Sequence, residues 1–187
     1  MVLAIGVSLT RRSVNANDWR SIRRESLDET GVLNAVTLPA LLVLLHAAAS
    51  CAMAGVLWIV QLVVYPAFAI VPVDTLPTYA VVHARRITPI VAPLMLVEAM
   101  TFVALVAMKV EMPAWLVIAG GLTLVANWVS TFLWQVPLHG RIQRGDVDAI
   151  AKLVRSNWLR TLCWSGRAAI GMMMVWLVLS RSAIVAG

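Results

Sequence analysis

The sequence predicts an all-helical, polytopic membrane protein: an antiparallel four-helix transmembrane bundle with a short amphipathic helix before the fourth span. Two observations carry this prediction. First, 61% of the 187 residues are hydrophobic, only 13% are charged and the mean hydropathy is +0.87, whereas about a quarter of the residues in a soluble domain are charged. Second, the chain contains four long apolar stretches, each sufficient for the roughly 20 residues that cross a bilayer.

The predicted spans cover about 37–70, 87–108, 114–139 and 158–180. Pro39 suits the first turn of the first span, and Pro66 is expected to bend or fray its end. Residues 1–36 are different, because Arg11 and Arg12 follow the apolar start, the reverse of a signal peptide. We therefore expect a poorly ordered N-terminal tail over 1–36 and a transmembrane domain over 37–182.

Residues 141–156 predict the short amphipathic helix, which either lies at the membrane interface or leads into the fourth span. Val147, Ile150 and Val154 recur at helical spacing, and Gly145-Asp146 is typical of a loop and a helix N-cap. Because four spans place both termini on one side, the connections at 71–86 and 140–156 share the other side, which we call the loop face. Basic residues are spread evenly over both sides, so the orientation stays open.

The net charge of +6 and the pI of about 10.4 do not indicate nucleic-acid binding. Most basic residues lie outside the apolar runs, where they flank spans and meet anionic headgroups. We therefore expect the lipid bilayer as the main partner, no nucleic acid, and a multi-pass location in the plasma membrane. Cys51 and Cys163 lie in apolar segments and form no CxxC, so the sequence has no metal motif.

Polar side chains follow one face of the predicted spans. On the third span they recur every four residues, and on the fourth every three or four. The residues are Asn127, Thr131, Gln135 and His139, then Asn157, Arg160, Trp164 and Arg167. The earlier part of the chain adds Gln61, Tyr65, His83, Arg86 and Glu98. Because a charge at bilayer depth costs several kcal/mol unless it is paired or hydrated, we expect these faces to turn toward one another.

A rise of about 1.5 Å per residue divides these side chains into two levels. Glu98, Arg167 and Asn127 fall near the midplane, where they either join helices as an ion pair and an amide or line a cavity. The others lie toward the loop face and form a candidate ligand site. Its catalytic candidates are His139, His83 and Arg160, and its substrate-binding candidates are Gln61, Tyr65, Arg86, Gln135, Asn157 and Trp164. His46 lies in the opposite half, so we expect no three-histidine metal site.

Three short motifs carry a family resemblance. They are Gln61-Leu-Val-Val-Tyr65-Pro66 followed by Tyr79, His83 and Arg86; Val136-Pro-Leu-His139; and Asn157-Trp-Leu-Arg160-Thr161. Over about residues 40–180 the chain resembles the anthrone-oxygenase-like family of small four-helix membrane proteins of bacteria and fungi, most of which have no assigned function. Two departures stand out: His139 replaces the usual Asn of the family, and the last motif lacks the frequent Asn-His.

The few relatives with a known role oxidise anthrones to anthraquinones. The resemblance therefore implies a membrane-embedded oxidoreductase or oxygenase that acts on a lipophilic aromatic or quinone-like substrate. A histidine would remove a proton from an activated carbon, an arginine would stabilise the enolate oxygen, and polar side chains would orient the ring. We expect His139 or His83 to act as the base. Arg160 and Arg86 would stabilise the enolate oxygen, and Tyr65 and Gln61 would orient the ring.

Two other functions stay open at this stage. One is a non-catalytic membrane subunit that binds a partner protein, a quinone or a haem, the haem being held by His83 and His139. The other is a small transporter, which four helices would form only as an oligomer and for which no inverted repeat is visible. The cofactor, whether haem, quinone or none, and the oligomeric state also stay open.

Overall fold

The computed structural model describes residues 38–186, with side chains through Arg181, so the predicted tail at 1–36 lies outside the described residues. The described chain is helical, with no strand in this part. Four helices are long and apolar enough to cross a membrane: Leu38–Ile70, Leu76–Ala107, Ala114–Ile142 and Asp148–Arg181, here spans 1 to 4. The predicted four-helix, multi-pass membrane fold is therefore confirmed.

Spans 1 and 3 each contain a π-helical segment two residues before a proline. In span 1, α-helix Leu38–Ile59 is followed by the π segment Val60–Val64, the turn Tyr65–Ala67 and the 3-10 turn Phe68–Ile70. In span 3, α-helix Ala114–Ser130 is followed by the π segment Thr131–Gln135 and then by Val136–Ile142. A proline ring collides with the carbonyl four residues earlier in a regular helix, and the wider π turn relieves that conflict at Pro66 and Pro137.

Span 2 begins at Leu76, eleven residues earlier than the predicted start at 87. Pro77 occupies its first turn, where a proline fits because the N–H of that position has no helical partner. The prediction of a connector over 71–86 was therefore wrong from Leu76 onward. Arg85 and Arg86 mark the end of the apolar stretch in the sequence, but the helix itself extends beyond them to Leu76.

Span 4 belongs to one continuous helix, Asp148–Ala186, so the amphipathic segment leads directly into the fourth span. The Asp146 carboxylate accepts the Ala149 N–H at 3.2 Å, which confirms the predicted N-cap. Gly145 has a φ of +87° in the turn before it. Arg141 donates from Nε to the same carboxylate at 2.7 Å, and this hydrogen bond lowers the pKa of Asp146 below its ordinary value.

The extent of contact between each pair of spans explains where the bundle is open. Span 1 packs extensively against spans 2 and 4, and span 3 packs mainly against span 4, whereas spans 2 and 3 touch each other only slightly. Large apolar side chains remain exposed along the outer surface, among them Leu44, Ile118 and Leu179, as expected for a surface that faces lipid. The weakly packed seam between spans 2 and 3 is therefore the natural place for a ligand cavity.

Spans 1 and 4 pack backbone to backbone at Gly171. A Cβ placed there would lie 3.0 Å from the Ala47 Cα, which belongs to the backbone and cannot rotate away. Small residues at such crossings allow membrane helices to pack backbone to backbone. Gly166, five residues earlier on the same helix, has open space around its Cα.

We expect Gly171→Ala to lower the thermal unfolding temperature in detergent or nanodiscs, because the added methyl group pushes spans 1 and 4 apart. Gly166→Ala is the matched control and should leave the unfolding temperature unchanged or slightly higher, since alanine favours helix more than glycine does. Equal effects of the two substitutions would contradict this close helix crossing.

Candidate functional site

A cavity of about 370 Å³ lies between spans 2 and 3 in the half of the bundle toward the loop face. Its wall is mostly apolar, and its main polar side chains are Tyr65, His83, Gln135, His139 and Arg160. Three other lining residues, Leu96, Phe132 and Val136, are exposed on the outer surface of the bundle. The cavity therefore opens sideways, toward the lipid.

A chain of hydrogen bonds runs from His139 to span 4. The Tyr65 hydroxyl lies 3.0 Å from His139 Nε2 and 3.5 Å from Gln135 Oε1. Gln135 Nε2 donates to Ser156 Oγ at 3.0 Å, and Ser156 Oγ donates to the Leu153 carbonyl at 3.2 Å. Because the Ser156 proton is directed to Leu153, Ser156 accepts from the Gln135 amide, and this orients Gln135 Oε1 toward Tyr65.

This orientation favours one tautomer of His139. Tyr65 has one hydroxyl proton, and Gln135 Oε1 can only accept. If Tyr65 donates to Gln135, then His139 Nε2 carries a proton that it donates to Tyr65, and Nδ1 keeps a free lone pair. The opposite tautomer would leave both a buried Nδ1–H and Gln135 Oε1 without partners, which costs more than one unpaired acceptor. His139 Nδ1 has no hydrogen-bond partner among the described residues.

His83 lies beside this chain. Its ring stacks against that of His139, with centroids 5.8 Å apart and planes inclined by 22°. Phe68 meets the His83 ring edge-on at 5.2 Å. Span 2 thus brings the second predicted histidine to the same end of the cavity, as the sequence indicated.

Arg160 supplies a positive charge at the cavity wall. It is buried, and its Nη1 donates to Asn157 Oδ1 at 3.3 Å, while Asn157 Nδ2 donates to Gln61 Oε1 at 2.9 Å. Gln61 in turn donates to the Val154 carbonyl at 3.2 Å. No carboxylate pairs with Arg160 within residues 38–181, and its Nε has no hydrogen-bond partner there. This cation is therefore available to a negatively charged or strongly polar ligand group.

The predicted substrate-binding set divides into three groups. Tyr65 and Gln135 line the cavity, whereas Gln61 and Asn157 lie behind Arg160 and orient it. Trp164 is outside the wall: it is fully buried and packs with Met53, Leu57 and Met95, of which the last two line the cavity.

Arg86 also does not reach the cavity. Its side chain is exposed and is not part of the wall, whereas His83, Ile87 and Val91 are. These three recur every four residues along span 2, and Arg86 lies on a neighbouring face of the same helix. The expectation that Arg86 contacts the substrate was therefore wrong.

Sequence reasoning missed Ser156, which orients Gln135, and the wall residues Thr88, Thr131 and Trp128. Ser156 had a usable signal, since it precedes Arg160 by four residues and so shares its helix face. Thr131 belongs to the polar stripe of span 3 and was not chosen as a ligand-binding residue.

Buried charged side chains also form a second cluster in the apolar core. This cluster lies farther from the loop face than the cavity does. Glu98 and Arg167 form a fully buried ion pair. Arg167 also donates to the Gly120 carbonyl and to Thr123 Oγ1, and it lies over the Phe102 ring. These contacts join spans 2, 3 and 4 through one side chain.

His46 completes this second cluster. Its Nδ1 lies 3.2 Å from Thr101 Oγ1 and 3.9 Å from Glu98 Oε1. The Asn127 side chain is fully buried but its amide has no hydrogen-bond partner among the described residues, so its expected bridging role is not observed. Of the two interpretations for the midplane residues, the contacts favour interhelical pairing for Glu98 and Arg167.

Within the described part of the chain, no group of three or more His, Cys, Asp or Glu side chains is placed to hold a metal ion. No family model matches the chain, and neither does any curated protein or solved structure. The resemblance to the anthrone-oxygenase-like family stays a prediction.

Removal of one charge from the buried pair should be strongly destabilising. Arg167→Met leaves the Glu98 carboxylate buried and unpaired, and we expect a loss of about 3–5 kcal/mol in the free energy of unfolding. The double variant Glu98→Leu with Arg167→Met should lose less than Arg167→Met alone. Arg181→Met, which breaks an exposed pair with Glu111, is the control and should cost under about 1 kcal/mol. A double variant as unstable as the sum of the two single changes would contradict the pairing.

The tautomer of His139 can be measured directly. In ¹⁵N-histidine-labelled protein in nanodiscs at neutral pH, we expect the His139 proton on Nε2. Gln135→Ala should shift the population toward the Nδ1–H form, because Tyr65 would then be free to donate to His139. The His46 signal serves as the internal control. A wild-type His139 protonated at Nδ1 would disprove the proposed hydrogen-bond order.

Proposed function

We propose that this protein is a membrane-embedded enzyme that takes a lipophilic ring ketone from the bilayer and removes a proton from the carbon activated by its carbonyl group. The observation that carries the proposal is the placement of a histidine base and an unpaired arginine in an apolar cavity that opens to lipid. A volume of about 370 Å³ is within the range of small-molecule sites. We place the enzyme in the plasma membrane.

The chemistry assigned to each residue follows from its contacts. His139 Nδ1 takes the proton, because its lone pair is free when Nε2 donates to Tyr65. Arg160 stabilises the negative charge that develops on the carbonyl oxygen, and it does so strongly because the surroundings are apolar. Gln135 and Tyr65 hold the imidazole in the productive tautomer. His83 packs against the imidazole and limits its rotation.

The oxidation step requires dioxygen, which dissolves in the bilayer. The carbanion passes its electrons to O₂ and forms a carbon–oxygen bond, and the resulting hydroperoxide loses water. In total, a CH₂ group and one O₂ become a C=O group and one H₂O. This is the conversion of an anthrone to an anthraquinone, which the sequence resemblance also implies.

A quinone-binding, non-catalytic subunit is the second candidate. The same cavity favours it, since Arg160 is a suitable hydrogen-bond donor to a quinone carbonyl oxygen and the opening faces the lipid that holds quinones. A quinone that co-purifies without turnover of ring ketones would support this function over catalysis. A haem absorbance band in the purified protein would instead support ligation by His83 and His139.

The enzymatic proposal is tested with anthrone in proteoliposomes. In the absence of O₂, the wild-type protein should accelerate deuterium exchange from D₂O into the anthrone methylene group, and in its presence anthraquinone should form. His139→Ala should reduce both rates about 10²-fold or more, as expected for loss of a general base. Arg160→Gln should reduce them as well, through loss of charge stabilisation.

Arg144→Gln is the control, because Arg144 is exposed and outside the cavity wall. Thermal unfolding checks that each variant is folded. Exchange and oxidation rates that stay at the wild-type level in folded His139→Ala and Arg160→Gln would exclude this site as catalytic.

A further inference from the structure

A second cavity lies on the outer surface of the bundle, between spans 3 and 4 at their loop-face ends, and has a volume of about 630 Å³. One end is lined by Arg141, Lys152 and Arg155, and the wall also includes the apolar side chains of Leu133, Trp134 and Leu159. The three apolar residues are all exposed to the surroundings of the bundle. We call this feature the outer groove.

The outer groove has a basic end and an apolar end. Along span 3, Leu133 lies eight residues deeper than Arg141, roughly 12 Å at 1.5 Å per residue. Along span 4, Leu159 lies four residues deeper than Arg155, roughly 6 Å by the same measure. The cations thus lie at headgroup level and the apolar wall continues toward the acyl chains, which is the polarity of a phospholipid molecule.

The charges in the outer groove are unbalanced. Asp146 binds Arg141 through both Nε and Nη2 and compensates its charge. Within residues 38–181, neither Lys152 nor Arg155 forms an ion pair with a carboxylate, and both are exposed. Two uncompensated cations remain, three residues apart on the same helix, so the groove favours a ligand with net negative charge over a zwitterion.

We propose that the outer groove binds one anionic phospholipid, with its phosphate between Lys152 and Arg155 and an acyl chain along Leu133, Trp134 and Leu159. This site is separate from the cavity between spans 2 and 3, and it does not depend on the catalytic proposal. Charge complementarity selects the headgroup, and the apolar wall requires a lipid and not a free phosphate.

Native mass spectrometry of the detergent-solubilised protein tests the proposal by titration with phosphatidylglycerol and, in parallel, with phosphatidylcholine. We expect one phosphatidylglycerol to bind more tightly than phosphatidylcholine. The double variant Lys152→Gln with Arg155→Gln should weaken phosphatidylglycerol binding roughly 25-fold, about fivefold for each cation near a membrane surface. Its binding of phosphatidylcholine should not change.

The matched control is Arg85→Gln with Arg144→Gln, which removes the same charge from exposed positions at the same end of the bundle but outside the groove. It should retain wild-type affinity for phosphatidylglycerol. Glycerol 3-phosphate, which lacks acyl chains, should not compete at millimolar concentration. Equal affinity for both lipids, equal weakening in both double variants, or competition by glycerol 3-phosphate would each overturn the proposal.

Discussion

A hydrogen-bonding or charged side chain at bilayer depth must find its partner inside the protein, because the acyl chains provide none. This constraint determines which face of each helix points inward. Spans 1, 3 and 4 all carry polar residues that the described structure buries, among them Gln61, Gln135 and Asn157. Gln61 and Asn157 bond to each other, Gln135 bonds to the hydroxyl groups of Ser156 and Tyr65, and the apolar faces are left to the lipid. The arrangement of the bundle follows from this pairing.

Because of the same constraint, the polar interior has two parts, one in which the buried charges are paired and one in which a buried cation has no counter-ion within residues 38–181. Around Glu98 and Arg167, opposite charges meet and two neighbouring oxygen atoms accept from Arg167 Nη1, so this part joins three helices and its charges are paired. Around Arg160, no carboxylate is present among the described residues, and a cavity lies next to its side chain. A buried cation without a counter-ion is costly, and in a protein it is usually retained for a ligand.

Helical polar spacing was sufficient to predict much of this site. Steps of three and four residues placed Gln135, His139, Asn157 and Arg160 on inward faces, and the structure buries or half-buries each of them. The prediction for Arg86 was wrong because its closeness to His83 in the sequence was taken as closeness in space. The side of span 2 that faces the cavity carries His83, Ile87 and Val91. Trp164 shares the polar stripe, but its ring packs behind Leu57 and Met95, which form the cavity wall in its place.

Helix boundaries and π segments were less accessible from the sequence. The charges at Arg85 and Arg86 suggested a connector because a hydropathy window reports membrane depth and not backbone conformation; the helix itself extends past the apolar layer to Leu76. Pro66 did indicate an irregularity in span 1, but a proline cannot specify whether a helix bends, frays or widens. The widened turns change the phase of every side chain after them, so the pairing of Tyr65 with His139 required coordinates.

The inward orientation of these faces is tested most directly by the oxygen accessibility of nitroxide labels placed singly along span 4, in a protein in nanodiscs with Cys51 and Cys163 replaced by serine. The account predicts high oxygen accessibility at Leu159, Leu162, Met172 and Trp176, which are exposed, and low accessibility at Thr161 and Met174, which are buried. An accessibility profile without helical period, or one with its maxima at the second group of positions, would contradict it.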